Sequence, residues 1–199
     1  MSGSKDGGIY KSVDGGQSWT KLFKGLPKGN IGKIDLATSP ADTNRLYALI
    51  EAGEGQGGVY VSYDKGSSFK VMSHRKELVN RPFYYCNIYA HPKNADVIYS
   101  SANKFMVSIN AGKTWEIRET PHGDNHDIWI NPNHENIWIQ SNDGGGNVTF
   151  NSGKTWTTQF NQPTAEIYQV EVDQQFPYWL YGGQQDNYTT VSVPSQPPY

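Results

Sequence analysis

The sequence predicts an all-β architecture built from repeated four-stranded units. Three observations predict it. An eight-residue phrase occurs four times, a proline marker occurs four times out of phase with it, and short alternating apolar runs fill the intervals. The phrase is clearest at Ser12-Val13-Asp14-Gly15-Gly16-Gln17-Ser18-Trp19. It returns at 62–69, 108–115 and 149–156 as hydroxyl, any residue, Asp or Asn, any residue, Gly, two more, aromatic. Its glycine falls at positions 16, 66, 112 and 153.

Each unit is justified in order. Pro40, Pro92, Pro132 and Pro177 each separate two alternating apolar runs. The runs before the proline are 34–37, 87–90, 127–130 and 168–172, and those after it are 45–49, 96–99, 136–139 and 178–181. Short, apolar and bounded by turn formers, they read as strands. A third strand enters the phrase at 59–61, 105–107 and 148–150. A fourth leaves it at 68–72, 114–117 and 155–158. Four strands in roughly 45 residues is the size of a β-propeller blade. With strands lettered a to d from the inside out, residues 1–193 hold about four blades' worth. These are a partial blade 9–24, full blades 31–73, 84–118 and 126–159, and a partial blade 166–193, before a Pro-rich tail 194–199. An open end would leave an unpaired edge, so the expectation is part of a larger propeller. Further blades or a second copy would complete the ring. Helical periodicity is absent apart from a short candidate at 76–79, stopped by Pro82.

Composition narrows the function classes. Aromatics make up 13% and favour strands. The net charge of −2 argues against binding nucleic acid by bulk charge. No run of 18 apolar residues exists, so no membrane span is expected. The first eight residues lack the apolar centre of a signal peptide. The lone Cys86 excludes an intrachain disulfide and a Cys-rich metal site, and is expected to be a buried strand residue. It fits a cytosolic protein, or a secreted one that forgoes disulfides. No cofactor is expected.

Strand direction decides which loops meet. The repeated phrase is a c–d hairpin turn, so it shares one face with the a–b turns. The d–a and b–c loops share the other. The phrase accepts Asn110 and Asn151 in place of Asp, which suits a hydrogen-bonding role better than a catalytic one. Every unrepeated polar cluster falls on the d–a/b–c face, where loops on a rigid scaffold carry function. One is His122-Gly123-Asp124-Asn125-His126-Asp127, another is Asn142-Asp143-Gly144-Gly145-Gly146, and a third is Gln184-Gln185-Asp186-Asn187. The candidate ligand-binding residues are His122, Asp124, His126, Asp127, Asn142, Asp143, Gln185, Asp186 and Asn187, with Arg81 and Tyr84 from the preceding d–a loop. His122, Asp124 and His126 offer imidazole and carboxylate to a divalent metal as an alternative, but no cysteine or second His cluster joins them. Asp143 and Asp186, in equivalent b–c loops, are the candidate catalytic pair for glycoside hydrolysis, which needs two carboxylates flanking the bond.

The phrase resembles the Asp-box, or BNR repeat, of sialidases, xyloglucanase-type glycoside hydrolases, sortilin-like propellers and photosystem assembly propellers. The stretch from Arg81-Pro82-Phe83-Tyr84-Tyr85 to Asp186-Asn187 is similar to bacterial sortilin-like BNR proteins, often described as glycosyl-hydrolase-like. The segment at Asp143-Gly144-Gly145 resembles the Asp-Gly-Gly of catalytic carboxylates in xyloglucanases. The resemblance implies an extracellular or periplasmic full-length protein. A sialidase would need an arginine cluster, and the chain holds only Arg45, Arg75, Arg81 and Arg118. The expectation is therefore a binding or scaffold propeller that holds a peptide or polysaccharide on the d–a/b–c face. The alternative is a xyloglucanase-like hydrolase.

Overall fold

The computed structural model describes residues 3–162, 167–184 and 190–194. It is all-β but for one 3-10 turn at Lys76–Val79, where the sequence suggests a short helix. The chain divides into two compact units, Met1–Gln159 and Phe160–Tyr199.

In the first unit a two-stranded hairpin, β1 (Tyr10–Lys11) and β2 (Thr20–Lys21), precedes three larger sheets. The first comprises β3 (Ile31–Ser39), β4 (Asp42–Ala52), β5 (Gly58–Ser62) and β6 (Lys70–Ser73). The second comprises β7 (Asn87–Ala90), β8 (Ile98–Ser101), β9 (Phe105–Ser108) and β10 (Glu116–Ile117). The third comprises β11 (Asn125–Ile130), β12 (Trp138–Asn142) and β13 (Gly145–Thr149). All pairs are antiparallel in chain order, as blades require.

The third sheet lacks the regular fourth strand expected at 155–158. Thr157 N–H still bonds to Val148 O at 2.9 Å. The return bond comes from Val148 N–H to the Thr157 hydroxyl at 3.0 Å, and Asn147 Nδ2 takes the Thr157 carbonyl at 2.8 Å. Side chains thus replace the ladder. The second unit is one sheet, β14 (Ile167–Val172), β15 (Trp179–Gln184) and β16 (Thr190–Pro194). Its third strand includes Pro194, which the sequence assigns to the tail.

The core of the first unit lies between sheets. Ile9, Ile31, Ile50, Tyr60 and Phe69 join the hairpin to the first sheet. Tyr47, Leu49, Val59, Val61, Leu78, Ile88, Ile98, Met106 and Trp115 join the first sheet to the second. Tyr99, Phe105, Val107, Ile128, Ile130 and Trp138 join the second to the third. Cys86 is buried in the middle core, one residue ahead of β7 rather than within a strand as the sequence suggests, and burial pushes its thiol up to about 11. Polar links cross the same boundaries. Arg45 bonds to Asp96 at 2.7 Å, the Tyr47 hydroxyl to Ala95 O at 2.7 Å, and Ile88 N–H to Asp35 at 2.7 Å.

The repeated turn has one geometry in four places. In the first sheet the Ser62 hydroxyl accepts from Gly66 N–H at 2.8 Å and donates to Asp64 at 2.7 Å. Asp64 then accepts Ser68 N–H at 2.8 Å and the Ser68 hydroxyl at 2.6 Å. Lys65 and Gly66 take φ of 57° and 86°, the left-handed region where glycine carries no Cβ penalty. Where Asn replaces Asp, the last bond reverses. Asn110 Nδ2 donates to Thr114 Oγ1, and Asn151 Nδ2 to Thr155 Oγ1, both at 2.8 Å. The turn therefore needs a planar acceptor at this position and tolerates loss of the charge.

Two turns are accordingly sensitive to acid and two are not. The bonds from Ser68 and then Ser62 lower the Asp64 pKa to about 2, and those from Ser18 and Ser12 lower that of Asp14 further. Both folded values lie below the unfolded ~3.9. Their stabilisation is thus complete above that pH and is lost as pH falls through the folded value. For Asp64 the window runs from ~4 down to about 2. A carboxyl-carbon NMR titration should place Asp64 near its lower edge. Asp64→Asn should flatten the acid limb of the urea midpoint. A midpoint at the unfolded value would show that the serine bonds do not persist in solution.

Candidate functional site

The unrepeated segment Ser73–Tyr85 crosses from the first sheet to the second and turns back at Arg81. Tyr84 N–H and Tyr85 N–H both bond to Arg81 O, at 2.9 and 3.1 Å. Arg81 has φ 57°, and Asp124, facing it across the loop, has φ 51°. Both are non-glycine residues in left-handed conformations, a type of strain that clusters at functional sites.

Asp124 is the hub. It accepts the Tyr85 hydroxyl, Asn103 Nδ2 at 2.8 Å and Arg81 Nη1 at 3.2 Å. Its own N–H bonds to Asn103 O at 3.1 Å. The Tyr85 bond is the largest influence holding its carboxyl below the usual carboxylate range, with Asn103 and Arg81 acting in the same direction. Burial, and then the bond to Asp124 and its charge, push the Tyr85 phenol up. The Arg81 guanidinium carbon stands 5.7 and 5.6 Å from the Tyr84 and Tyr85 ring centres, within cation–π range.

His126 sits beside this cluster, set there by a β-bulge. Asn125 pairs with Asn142 and Asp127 with Ser141, leaving His126 as the extra residue, and bulges re-aim side chains at sheet rims. His126 Nε2 lies 2.6 Å from Asp143 Oδ1. Its ring packs on Tyr85 at 4.5 Å between centres, with Tyr84 edge-on at 6.0 Å. The His126 carbonyl accepts Asn87 Nδ2 at 2.8 Å, and Asn87 in turn accepts Lys33 Nζ at 3.0 Å. One chain of contacts thus links the inner ends of all three sheets.

The Asn142–Asn147 loop expected from the sequence is tighter than that. Asn142 pairs with Gly145, so only Asp143 and Gly144 form the connection. Asp143 reaches the face. Asn142 is buried, bonded to Gln140 at 2.9 Å, Asn147 at 3.1 Å, Gly144 N–H at 2.9 Å and Gln159 at 2.6 Å. Its amide is engaged inside the sheet. Asp127 is exposed at the start of the inner strand and caps Ile128 N–H at 2.7 Å. His122 is exposed, and its Nδ1 lies 3.1 Å from Gly123 O. It packs against Gly144, where an added Cβ would lie 3.0 Å from the His122 Cβ.

The structure thus brings together Arg81, Tyr84, Asp124, His126 and Asp143. His122 stands apart, and Asn142 lies beneath. Among the described residues no three His, Cys, Asp or Glu side chains are placed to hold a metal ion. Asp124 is turned to Arg81, Tyr85 and Asn103, and His126 to Asp143, so the trio His122, Asp124, His126 does not converge. Gln185, Asp186 and Asn187 lie outside the described residues, and with them the pairing of Asp186 with Asp143. Asn103, Asn87 and Lys33 belong to the site without any local sequence signal.

No family model matches the chain, and no curated protein matches it. Solved structures do. An ancestral GH74 enzyme aligns with 96% of this chain at 15% identity and a TM-score of 0.54. The GH74 enzyme of Niastella koreensis aligns with 90% at 17% identity and 0.58. YCF48 bound to D1 peptide aligns with 87% at 14% identity and 0.54. The chain spans 28% and 30% of the two GH74 chains and 55% of YCF48. These likenesses bear on the fold, which is of the β-propeller type.

Proposed function

We propose that this chain is a non-catalytic binding module whose d–a/b–c loop face holds an extended peptide. The observation that carries the reading is the state of the two best-placed carboxylates. A glycoside hydrolase needs one carboxyl kept protonated as general acid, hence a raised pKa. Asp124 is shifted the opposite way by Tyr85, Asn103 and Arg81. Asp143 is bonded to His126. Asp124 is thus built as an acceptor for three donors, and Asp143 is tied to a ring nitrogen. Beside them Phe83 and Tyr84 are 76% and 62% exposed, an aromatic platform of the kind that anchors peptide ligands. The repeated turns fit the Asp-box pattern, and a sortilin-like arrangement is the form we assign to the module. YCF48, similar in fold, was solved with a peptide bound.

A peptide array and a glycan array, each probed with the full chain, test this. Peptide capture is expected, with Tyr84→Ala weakening it about tenfold or more, the scale of an aromatic anchor. Release of reducing sugar from a polysaccharide panel, lost in Asp143→Ala, would overturn the binding reading in favour of the hydrolase. Capture of glycans alone would replace peptide by carbohydrate.

A further inference from the structure

We infer that the peptide held on this face carries an internal acidic side chain that pairs with Arg81, next to an apolar or aromatic residue that lies on Tyr84. The inference rests on the peptide-binding reading above and specifies its ligand.

Charge is the first argument. The chain as a whole carries −2. Yet the loop leading to Arg81 and the neighbouring b–c turn carry Arg75, Lys76, Arg81 and Lys104 against Glu77. The facing loops bring Asp124 and Asp143, so the excess of positive charge is confined to the Ser73–Tyr85 side of the face. Such a local field favours approach of an anion and is attenuated by salt.

The donors on Arg81 are the second. A guanidinium has five N–H groups in a planar fork. Among the described residues Arg81 spends one contact, on Asp124 at 3.2 Å, and its side chain remains 42% exposed. The Tyr84 and Tyr85 rings lie 5.7 and 5.6 Å from its guanidinium carbon, and the planar fork is itself pre-organised to take a carboxylate in bidentate fashion.

The third is that the resident anions do not depend on Arg81. Asp124 keeps the Tyr85 hydroxyl and Asn103 if Arg81 turns outward. Asp143 keeps His126. An incoming carboxylate therefore competes for Arg81 without leaving a buried charge unpaired. A cationic ligand would instead meet Arg81 at the edge of the exposed aromatic platform. Finally, both Arg81 and Asp124 hold left-handed backbones, conformations that side-chain-bearing residues avoid. The loop is shaped around this pair and holds Arg81 at the rim.

The test uses the full chain and an array of nine-residue peptides, acetylated and amidated so that no terminal carboxylate is present. Each Asp or Glu peptide is matched by its Asn or Gln counterpart. The expected result is selection of acidic peptides with an aromatic or large apolar neighbour. They should bind about tenfold more tightly than their amide partners, a gap that closes as salt is raised toward ~1 M. Arg81→Gln should remove the acid preference, so that acidic and amide peptides bind alike, and Arg81→Lys should restore it only in part. The wild-type comparison alone decides the matter if either variant folds poorly. Equal binding of acidic and amide peptides, or selection of basic ones, would overturn this inference and leave the peptide-binding reading standing. Failure to capture any peptide would overturn both, as would capture of uronate-bearing oligosaccharides in their place.

Discussion

Gly25→Ala is expected to destabilise the first unit by about 2–5 kcal/mol. Gly25, with φ 78°, lies between the first hairpin and β3 and sits against Phe69, just ahead of the outer strand β6. Phe69 N–H bonds to Lys24 O at 2.9 Å, which draws the Phe69 backbone over Gly25. An added Cβ would lie 1.8 Å from the Phe69 carbonyl oxygen and 2.8 Å from its carbon. Because the obstacle is backbone, no rotamer change relieves it. The left-handed backbone alone costs an alanine ~1–2 kcal/mol, and forced displacement adds ~1–3. Against a typical domain stability of ~5–15 kcal/mol that is a large fraction, and the thermal midpoint should fall by about 5–20 °C. Gly29 supplies the control. Its φ is 83°, but nothing lies within 4 Å of an added Cβ. Gly29→Ala should show the backbone cost alone. Equal midpoints for the two variants in thermal denaturation would mean that the Phe69 contact opens at little cost.

Removing the hub of the loop face should have the second-largest effect. Asp124→Ala leaves the hydroxyl of the buried Tyr85 without its acceptor and removes the partner of Asn103 and Arg81. An orphaned buried donor costs ~1–3 kcal/mol. The variant should lose about that much by urea denaturation at neutral pH, together with ligand capture. Asp124→Asn keeps an acceptor for Tyr85 and should lose less. The sign of the pH dependence follows from the lowered Asp124 pKa. The wild-type advantage is complete above the unfolded carboxyl value of ~3.9 and fades as pH falls through the folded value. The gap between wild type and Asp124→Ala should narrow below that range. Phenol absorbance gives a separate readout. Tyr85 should ionise at lower pH in Asp124→Ala, since the bond to Asp124 and its charge, which both raise it, are gone. Burial, the largest influence, should still hold it above an ordinary tyrosine. An unchanged Tyr85 titration would mean that the Asp124 contact is not kept in solution.

These two residues also mark how far the sequence could be read. The turn at 62–69 is legible because its side-chain bonds span four residues or fewer, so its pattern is local. β11 and β12 are legible because one side of each is buried, which imposes alternation, whereas β5, β8 and β9 are buried throughout and read as short apolar runs bounded by turns. From these the propeller class, the buried Cys86 and the polar face opposite the turns all follow. The hub at Asp124 is different. Its partners Arg81, Tyr85 and Asn103 lie 43, 39 and 21 residues away. Asp124 and Arg81 stand out as candidates by residue type alone. Asn103 does not, because its role depends on which loops of neighbouring sheets touch. Asn142 fails in the opposite direction. It reads as a polar loop residue, but the tight Asp143–Gly144 connection extends the strand through it and turns its amide into the sheet. The length of this connection decides whether such a side chain faces water or protein.

The first hairpin has a consequence of its own. In the sheets that follow, the aromatic residue closing the repeated turn packs back against the preceding unit, and Phe69 and Trp115 are each only 7% exposed. Trp19 occupies the same place in the hairpin and is 62% exposed. Tyr10 is likewise half open where Tyr60 and Met106 are buried. Among the described residues the hairpin is thus held from one side only, through Ile9, while its neighbours are held from both. In a linear array each unit's stability is its own plus that of the boundaries it shares. Among the described residues the boundary that supports the hairpin is the layer around Tyr60 and Phe69, so substitutions there act on the hairpin as well as on the first sheet.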